Sequence, residues 1–196
     1  MKTSLRATPT IILIIANLGV YTFTSVAGGS LLSTSQDLIK TLGQFNISVM
    51  NGRYWQLFTS MFVHVNLLHL FGNMLFLLIF GIRAEELFSK KEFFFIYFAS
   101  GLAGNLLTLL MPPLTLSAGA SGAIFGIFSA SVMYLGKTMG QSIMSALMYS
   151  FFLLILGAGR NVNLLAHFGG LAAGLVTVSY THLRAHETRH DLVCRL

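Results

Sequence analysis

The stretch "SAGASGAIFG", residues 117–126, sets Ser121 among three glycines inside a charge-free run that extends from residue 93 to residue 136. A helix needs roughly 20 apolar residues to cross a bilayer, so this run is too long for one crossing. Pro112-Pro113 near its middle removes two backbone donors and stops a helix there. The run therefore holds two spans, and the serine-glycine stretch opens the second of them.

Working outward, the whole chain has the composition of a membrane protein. Of its 196 residues, 55% are hydrophobic and 9% charged, far outside soluble-domain usage, and the mean hydropathy is +0.76. The other charge-free runs are 7–36, 54–82, 138–159 and 161–183. The first two exceed one span and fall short of two, so part of each belongs to the interface or to a loop. This spacing predicts an all-α, polytopic fold with six transmembrane helices at 9–28, 66–84, 92–110, 118–136, 141–158 and 162–178.

Lys and Arg in short loops favour the cytoplasmic side. With the N-terminus inside, Lys2, Arg6, Arg83, Lys90, Lys91 and Lys137 fall inside, and Lys40, Arg53 and Arg160 outside. A cleaved signal peptide is a rival reading of the first span, since Ser25-Val26-Ala27 has the small-x-small form of a cleavage site. The length of 9–28 and the five spans that follow favour a retained helix.

The last stretch, "SYTHLRAHETRHDLVCRL", breaks the pattern. It holds three of the six histidines and the single cysteine, Cys194. It resembles translated sequencing-adapter read-through, which divides the chain into a membrane domain at 1–178 and a non-native tail at 179–196, with the native C-terminus missing. A genuine basic cytoplasmic tail is the alternative.

Setting the tail aside leaves His64, His69 and His167. Strongly polar residues inside a span are costly, and each is either a helix-to-helix hydrogen bond or a functional group. The second, fourth and sixth helices run in the same direction, so His69, Ser121 and His167 each lie about one turn into their helices. Asn73 follows His69 one turn deeper on the same face. The G-x-x-x-G pairs Gly122/Gly126 and Gly170/Gly174 let the fourth and sixth helices approach closely. That approach brings His167 to Ser121.

A serine hydroxyl is a weak nucleophile until a base takes its proton, and histidine suits that task near neutral pH. Ser121 and His167 fit those roles. Attack on an amide also builds charge on the carbonyl oxygen, for which the free amides at the start of the fourth helix, with His69 and Asn73, supply donors. No carboxylate is placed to complete a triad, so the logic is that of a dyad. A transporter would show paired charges or broken helices near the midplane, and a metalloprotease a spacing such as H-E-x-x-H. Neither pattern is present.

Five segments, "GRYWQLFTSMFVH" (52–64), "HLFGN" (69–73), "FGIRAEE" (80–86), "GASGAIFG" (119–126) and "AHFGGLAAG" (166–174), together resemble the rhomboid intramembrane serine proteases of bacterial or archaeal type. The resemblance implies a six-helix core in a prokaryotic cytoplasmic membrane, N-terminus inside and active site opening outward. It implies Ser121 as nucleophile and His167 as base, with His69, Asn73 and the backbone of Gly119 and Ser121 as the oxyanion hole. Phe125 is expected to pack on the His167 ring, Glu85 to serve a structural hydrogen bond, and His64 to match a family histidine of less certain part. Transmembrane proteins are the implied substrates and lipid the surroundings, with no metal, cofactor or nucleic acid. A rhomboid-like pseudoenzyme would lack Ser121 or His167. One departure stands out: Trp55-Gln56 replaces the family's usual Trp-Arg, which puts an Arg-dependent loop contact in doubt.

Overall fold

A computed structural model describes residues 8–138, 148 and 162–193, with side chains as far as Val178. The order of elements among these is α1 (Pro9–Gly28), α2 (Gln36–Leu42), β1 (Gln44–Phe45), α3 (Asn46–Met50), α4 (Gln56–Thr59), α5 (Leu67–Leu87), α6 (Lys90–Thr108), β2 (Leu116–Ser117), α7 (Ser121–Thr138) and α8 (Leu164–Val193). Five of the expected helices are thus present, the first with its expected ends and the other four with shifted ones. The expected span at 141–158 lies outside the described residues apart from Met148. α8 continues past residue 178, where the sequence reading ends the sixth span, to Val193. By length and hydropathy, α1 and α5 are the described helices able to cross a bilayer, each with a mean hydropathy of 1.8.

Local chemistry explains the helix ends. Thr8 caps α1 by accepting from the Ile11 N–H, and Pro9 begins it, where the missing N–H is no loss. Gly29, at φ 70°, closes it in the left-handed conformation. The carboxylate of Glu85, near the end of α5, accepts from the Thr10 N–H at 2.7 Å, placing negative charge at the positive end of α1. α6 opens with a capping box in which the Ser89 side chain and Glu92 satisfy each other's backbone N–H groups.

Four helix starts differ from the sequence reading, α5 by one residue and α6 by two, and those of α7 and α8 have a clear local cause. The fourth span was expected from residue 118, yet α7 begins at Ser121. Gly119 has φ +128°, which is incompatible with a helix, and its N–H is drawn off to the Ser60 carbonyl at 2.9 Å. Ser121 is therefore the first residue of its helix and not one turn inside it. The sixth span was expected from residue 162, yet α8 begins at Leu164, because the Asn163 side chain accepts from the Ala166 N–H at 3.0 Å and so caps the helix.

Between membrane helices lipid removes most of the hydrophobic driving force, so association depends on close packing and on hydrogen bonds. α6, α7 and α8 meet through small residues. A Cβ built on Gly170 would overlap the Gly122 carbonyl, and one on Gly174 would overlap the Gly126 carbonyl. On the other side, a Cβ on Gly104 of α6 would overlap the Ala166 carbonyl of α8. Ser129 adds a hydrogen bond to the Leu171 carbonyl at 2.8 Å, a class of contact worth about 0.6 kcal/mol on average between membrane helices. α5 packs on both α7 and α1, with Phe80 against Phe128 of α7 and Gly81 against Thr10 of α1.

The long segment between α1 and α5 is folded and not a slack loop. β1 pairs antiparallel with β2, Gln44 opposite Ser117 and Phe45 opposite Leu116. Asn46 donates to the Thr108 carbonyl at 2.8 Å, and Gln44 to the Asn105 carbonyl at 2.9 Å. Gln56 is fully buried. Its Nε2 donates to the carbonyls of Lys40 at 2.8 Å and Thr41 at 3.2 Å, and its Oε1 accepts from the Phe45 N–H at 3.1 Å. At the position where rhomboid proteases usually carry arginine, the glutamine ties the end of α2 to β1.

Candidate active site

The close seam between α7 and α8 brings together the first residue of one helix and the fourth of the other. His167 Nε2 lies 2.7 Å from Ser121 Oγ. Phe125, one turn on from Ser121, stacks on the His167 ring with centroids 4.5 Å apart and planes at 28°. His167 is buried, and its Nδ1 has no partner among the described residues. With the proton on Nδ1, Nε2 presents a lone pair to the serine hydroxyl, which then donates to it.

His69 and Asn73 approach from α5. The backbone N–H of His69 donates to the Asn66 side chain at 2.8 Å, which caps the helix and fixes its first turn. The Cε1–Nε2 edge of His69 faces Gly119: a Cβ built there would stand 2.8 Å from Cε1 and 2.9 Å from Nε2. Asn73 donates one Nδ2 proton to the His69 carbonyl at 2.9 Å, which leaves its second for a further acceptor. Ser121, as the first helical residue, has an N–H with no acceptor inside its own helix. Gly119 contributes space, since its own N–H is bonded to Ser60. His64 is fully buried, edge-on to His69 with ring centroids 5.2 Å apart.

A cavity of about 620 Å³ joins these groups, with Ser121, His167, His69 and Asn73 all on its wall. It continues between α5 and α7 past Phe76, Phe80 and Phe128, which give it an apolar flank.

Several polar residues that support this arrangement were not singled out from the sequence. Asn105 donates to Ser60 Oγ at 2.9 Å and to the Leu57 carbonyl at 2.7 Å, which fixes the turn whose carbonyl holds Gly119. Asn163 donates to Thr108 Oγ1 at 2.8 Å and Ser117 Oγ at 2.9 Å. The signal for Asn163 was present, as an Asn immediately ahead of an apolar run is a helix start.

Residues 51–184 match the Rhomboid domain family. The chain belongs to the rhomboid family. Rhomboid-like protease 3 of Toxoplasma gondii is 31% identical to it over 174 residues, 85% of this chain and 66% of that protein. YdcA of Bacillus subtilis, assigned as a rhomboid protease, is 32% identical over 156 residues, 76% of this chain and 78% of that one. RHOMBOID-like protein 1 of Arabidopsis thaliana is 31% identical over 167 residues, 81% of this chain and 43% of the plant protein. The chain thus spans just under two thirds of the Toxoplasma relative and less than half of the plant one. The Toxoplasma and Bacillus relatives carry the name of protease, and His64, His69, Asn73, Ser121 and His167 all fall within the segment of this chain that matches the family.

Proposed function

We propose that this rhomboid is a six-span intramembrane serine endopeptidase that cuts transmembrane segments of other membrane proteins, with Ser121 as nucleophile and His167 as general base. The observation that carries the reading is the 2.7 Å separation of His167 Nε2 and Ser121 Oγ on the wall of the cavity between α5 and α7. In the first step His167 takes the hydroxyl proton as Oγ attacks the substrate carbonyl. The oxyanion that forms is met by the Ser121 N–H, with His69 and Asn73 as side-chain donors. His167 then gives its proton to the leaving amine. Water attacks the acyl-enzyme with His167 again as base, releasing the new carboxyl terminus and restoring the serine.

Phe125 keeps the imidazole plane aligned, while Gly122, Gly126, Gly170 and Gly174 hold the two helices at the distance the proton transfer needs. Glu85 anchors α1 at the inner end and takes no part in the chemistry. Residues 179–196 contribute nothing to the site. The N-terminus lies inside, so the starts of α5, α7 and α8 lie toward the outer surface and water enters from outside. A peptide bond within a helix is hydrogen-bonded and shielded, so a substrate segment must unwind locally, and Gly or Pro near the cut favours that.

The test is cleavage of a panel of single-span substrates by the purified protein in liposomes, with Ser121→Ala and His167→Ala as comparisons. Both variants should lose cleavage and remain folded, because nucleophile and base act as a unit. A serine-directed fluorophosphonate should label Ser121. Normal cleavage by either variant would exclude the dyad.

A further inference from the structure

We propose that Asn163 is a positioning residue that sets the height and rotation of His167 against Ser121. The proposal rests on the serine–histidine reading above. In a triad an acidic residue orients the imidazole through Nδ1, but here Nδ1 of His167 has no partner among the described residues. The aim of the ring then depends on Phe125 and on where the first turn of α8 is held.

Asn163 holds that turn from three directions. Its Oδ1 accepts from the Ala166 N–H at 3.0 Å, and its own carbonyl accepts from the His167 N–H at 3.2 Å. Its two Nδ2 protons go to Thr108 Oγ1 on α6, at 2.8 Å, and to Ser117 Oγ on β2, at 2.9 Å. Thr108 is itself fixed, donating to the Gly104 carbonyl at 2.9 Å. Ser117 stands four residues before Ser121 and two before Gly119, on the segment that delivers the nucleophile.

A helix cap needs only an acceptor, and serine, threonine or aspartate would supply one. The carboxamide offers an acceptor and two donors on one short side chain. Both donors reach the segments flanking the site, so one side chain joins the base-bearing helix to α6 and to the approach to Ser121.

The test compares Asn163→Ser with Asn163→Ala and Ser117→Ala in the full chain, reading thermal midpoint, kcat and KM. Asn163→Ser keeps a cap and loses the bridge. It should keep a thermal midpoint close to that of the parent, lower kcat by about 10- to 100-fold and leave KM within about two-fold, as expected for a small misplacement of a reacting group. Asn163→Ala should lose both stability and kcat. Ser117→Ala should lower kcat by itself and add little in the Asn163→Ser background, since both remove the same bond. A serine variant with kcat within about two-fold of the parent would overturn the proposal, as would full additivity with Ser117→Ala. Failure of the dyad itself looks different: the parent chain would then resist fluorophosphonate labelling at Ser121.

Discussion

The His69 imidazole occupies the space where a side chain on residue 119 would stand, its Cε1 2.8 Å and its Nε2 2.9 Å from a Cβ built on Gly119. Two further constraints meet at that glycine: a φ of +128° and an N–H bonded to Ser60. Helix α5 and the turn into α7 are thereby fitted to each other without any bond between them. A Cβ on Gly119 would also stand 3.9 Å from Ser121 Oγ, so the missing side chain lets the serine and the histidine edge share a corner of the cavity.

Gly119→Ala should therefore harm catalysis more than stability. The new methyl group must push the imidazole away or strain the turn, and a displacement of about 1 Å at a reacting site can lower the rate by about 10²-fold. Cleavage at matched protein concentration, with a thermal melt alongside, checks this. An alanine variant with parental kcat would show that the position of His69 is immaterial.

Substitutions along the α7–α8 seam should divide sharply by position. Gly170→Ala and Gly174→Ala place a Cβ against the carbonyls of Gly122 and Gly126, so backbone must move. Overpacking of this kind costs about 1–3 kcal/mol, and a shift here also separates Ser121 from His167. Gly19→Ala in α1 meets nothing within 4 Å and should be neutral or stabilising by up to about 1 kcal/mol. Thermal unfolding in detergent micelles, with activity on the same samples, measures both. Equal effects at Gly170 and Gly19 would contradict the packing described.

Gln56→Ala should loosen the segment between α1 and α5. It leaves the Phe45 N–H and the carbonyls of Lys40 and Thr41, which are part-buried, without their side-chain partner. Unpaired groups cost about 1–3 kcal/mol when buried, and these sit toward the low end of that range. The expected outcomes are a lower thermal midpoint and faster proteolytic nicking within residues 36–59. A variant as resistant to nicking as the parent would mean that Gln56 does not hold this segment.

Lipid leaves only apolar side chains inexpensive, so Ser121, His69, Asn73 and His167 stand out against their neighbours in the sequence, and the structure gathers these four on the wall of one cavity. The glycine spacings likewise reported which helices touch. The segment from residue 30 to residue 66 was not legible, because its order comes from bonds such as Asn46 to Thr108 and Gln44 to Asn105. Those partners are far apart in the chain and leave no local period. The start of α7 was misplaced for a different reason. A glycine ahead of a helix reads equally well as its first turn, and only the Ser60 carbonyl decides that Gly119 stays outside.

The donors for the oxyanion should show themselves by how their losses combine. Removing one donor of an oxyanion hole typically lowers kcat by about 10²–10³-fold, so His69→Ala and Asn73→Ala should each fall in that range, with KM little changed. In the proposed mechanism both donate to the same oxygen, and the Ser121 N–H remains in either variant. The double variant should therefore lose much less than the product of the single losses. Fluorophosphonate labelling of Ser121 should slow in parallel, because the phosphonyl oxygen occupies the place of the developing oxyanion. Asn73 carries a second duty, its bond to the His69 carbonyl, but that carbonyl is one turn back in the same helix and its loss alone is local. If single variants cut and labelled at parental rates, His69 and Asn73 would be packing residues, and the serine amide alone would meet the oxyanion.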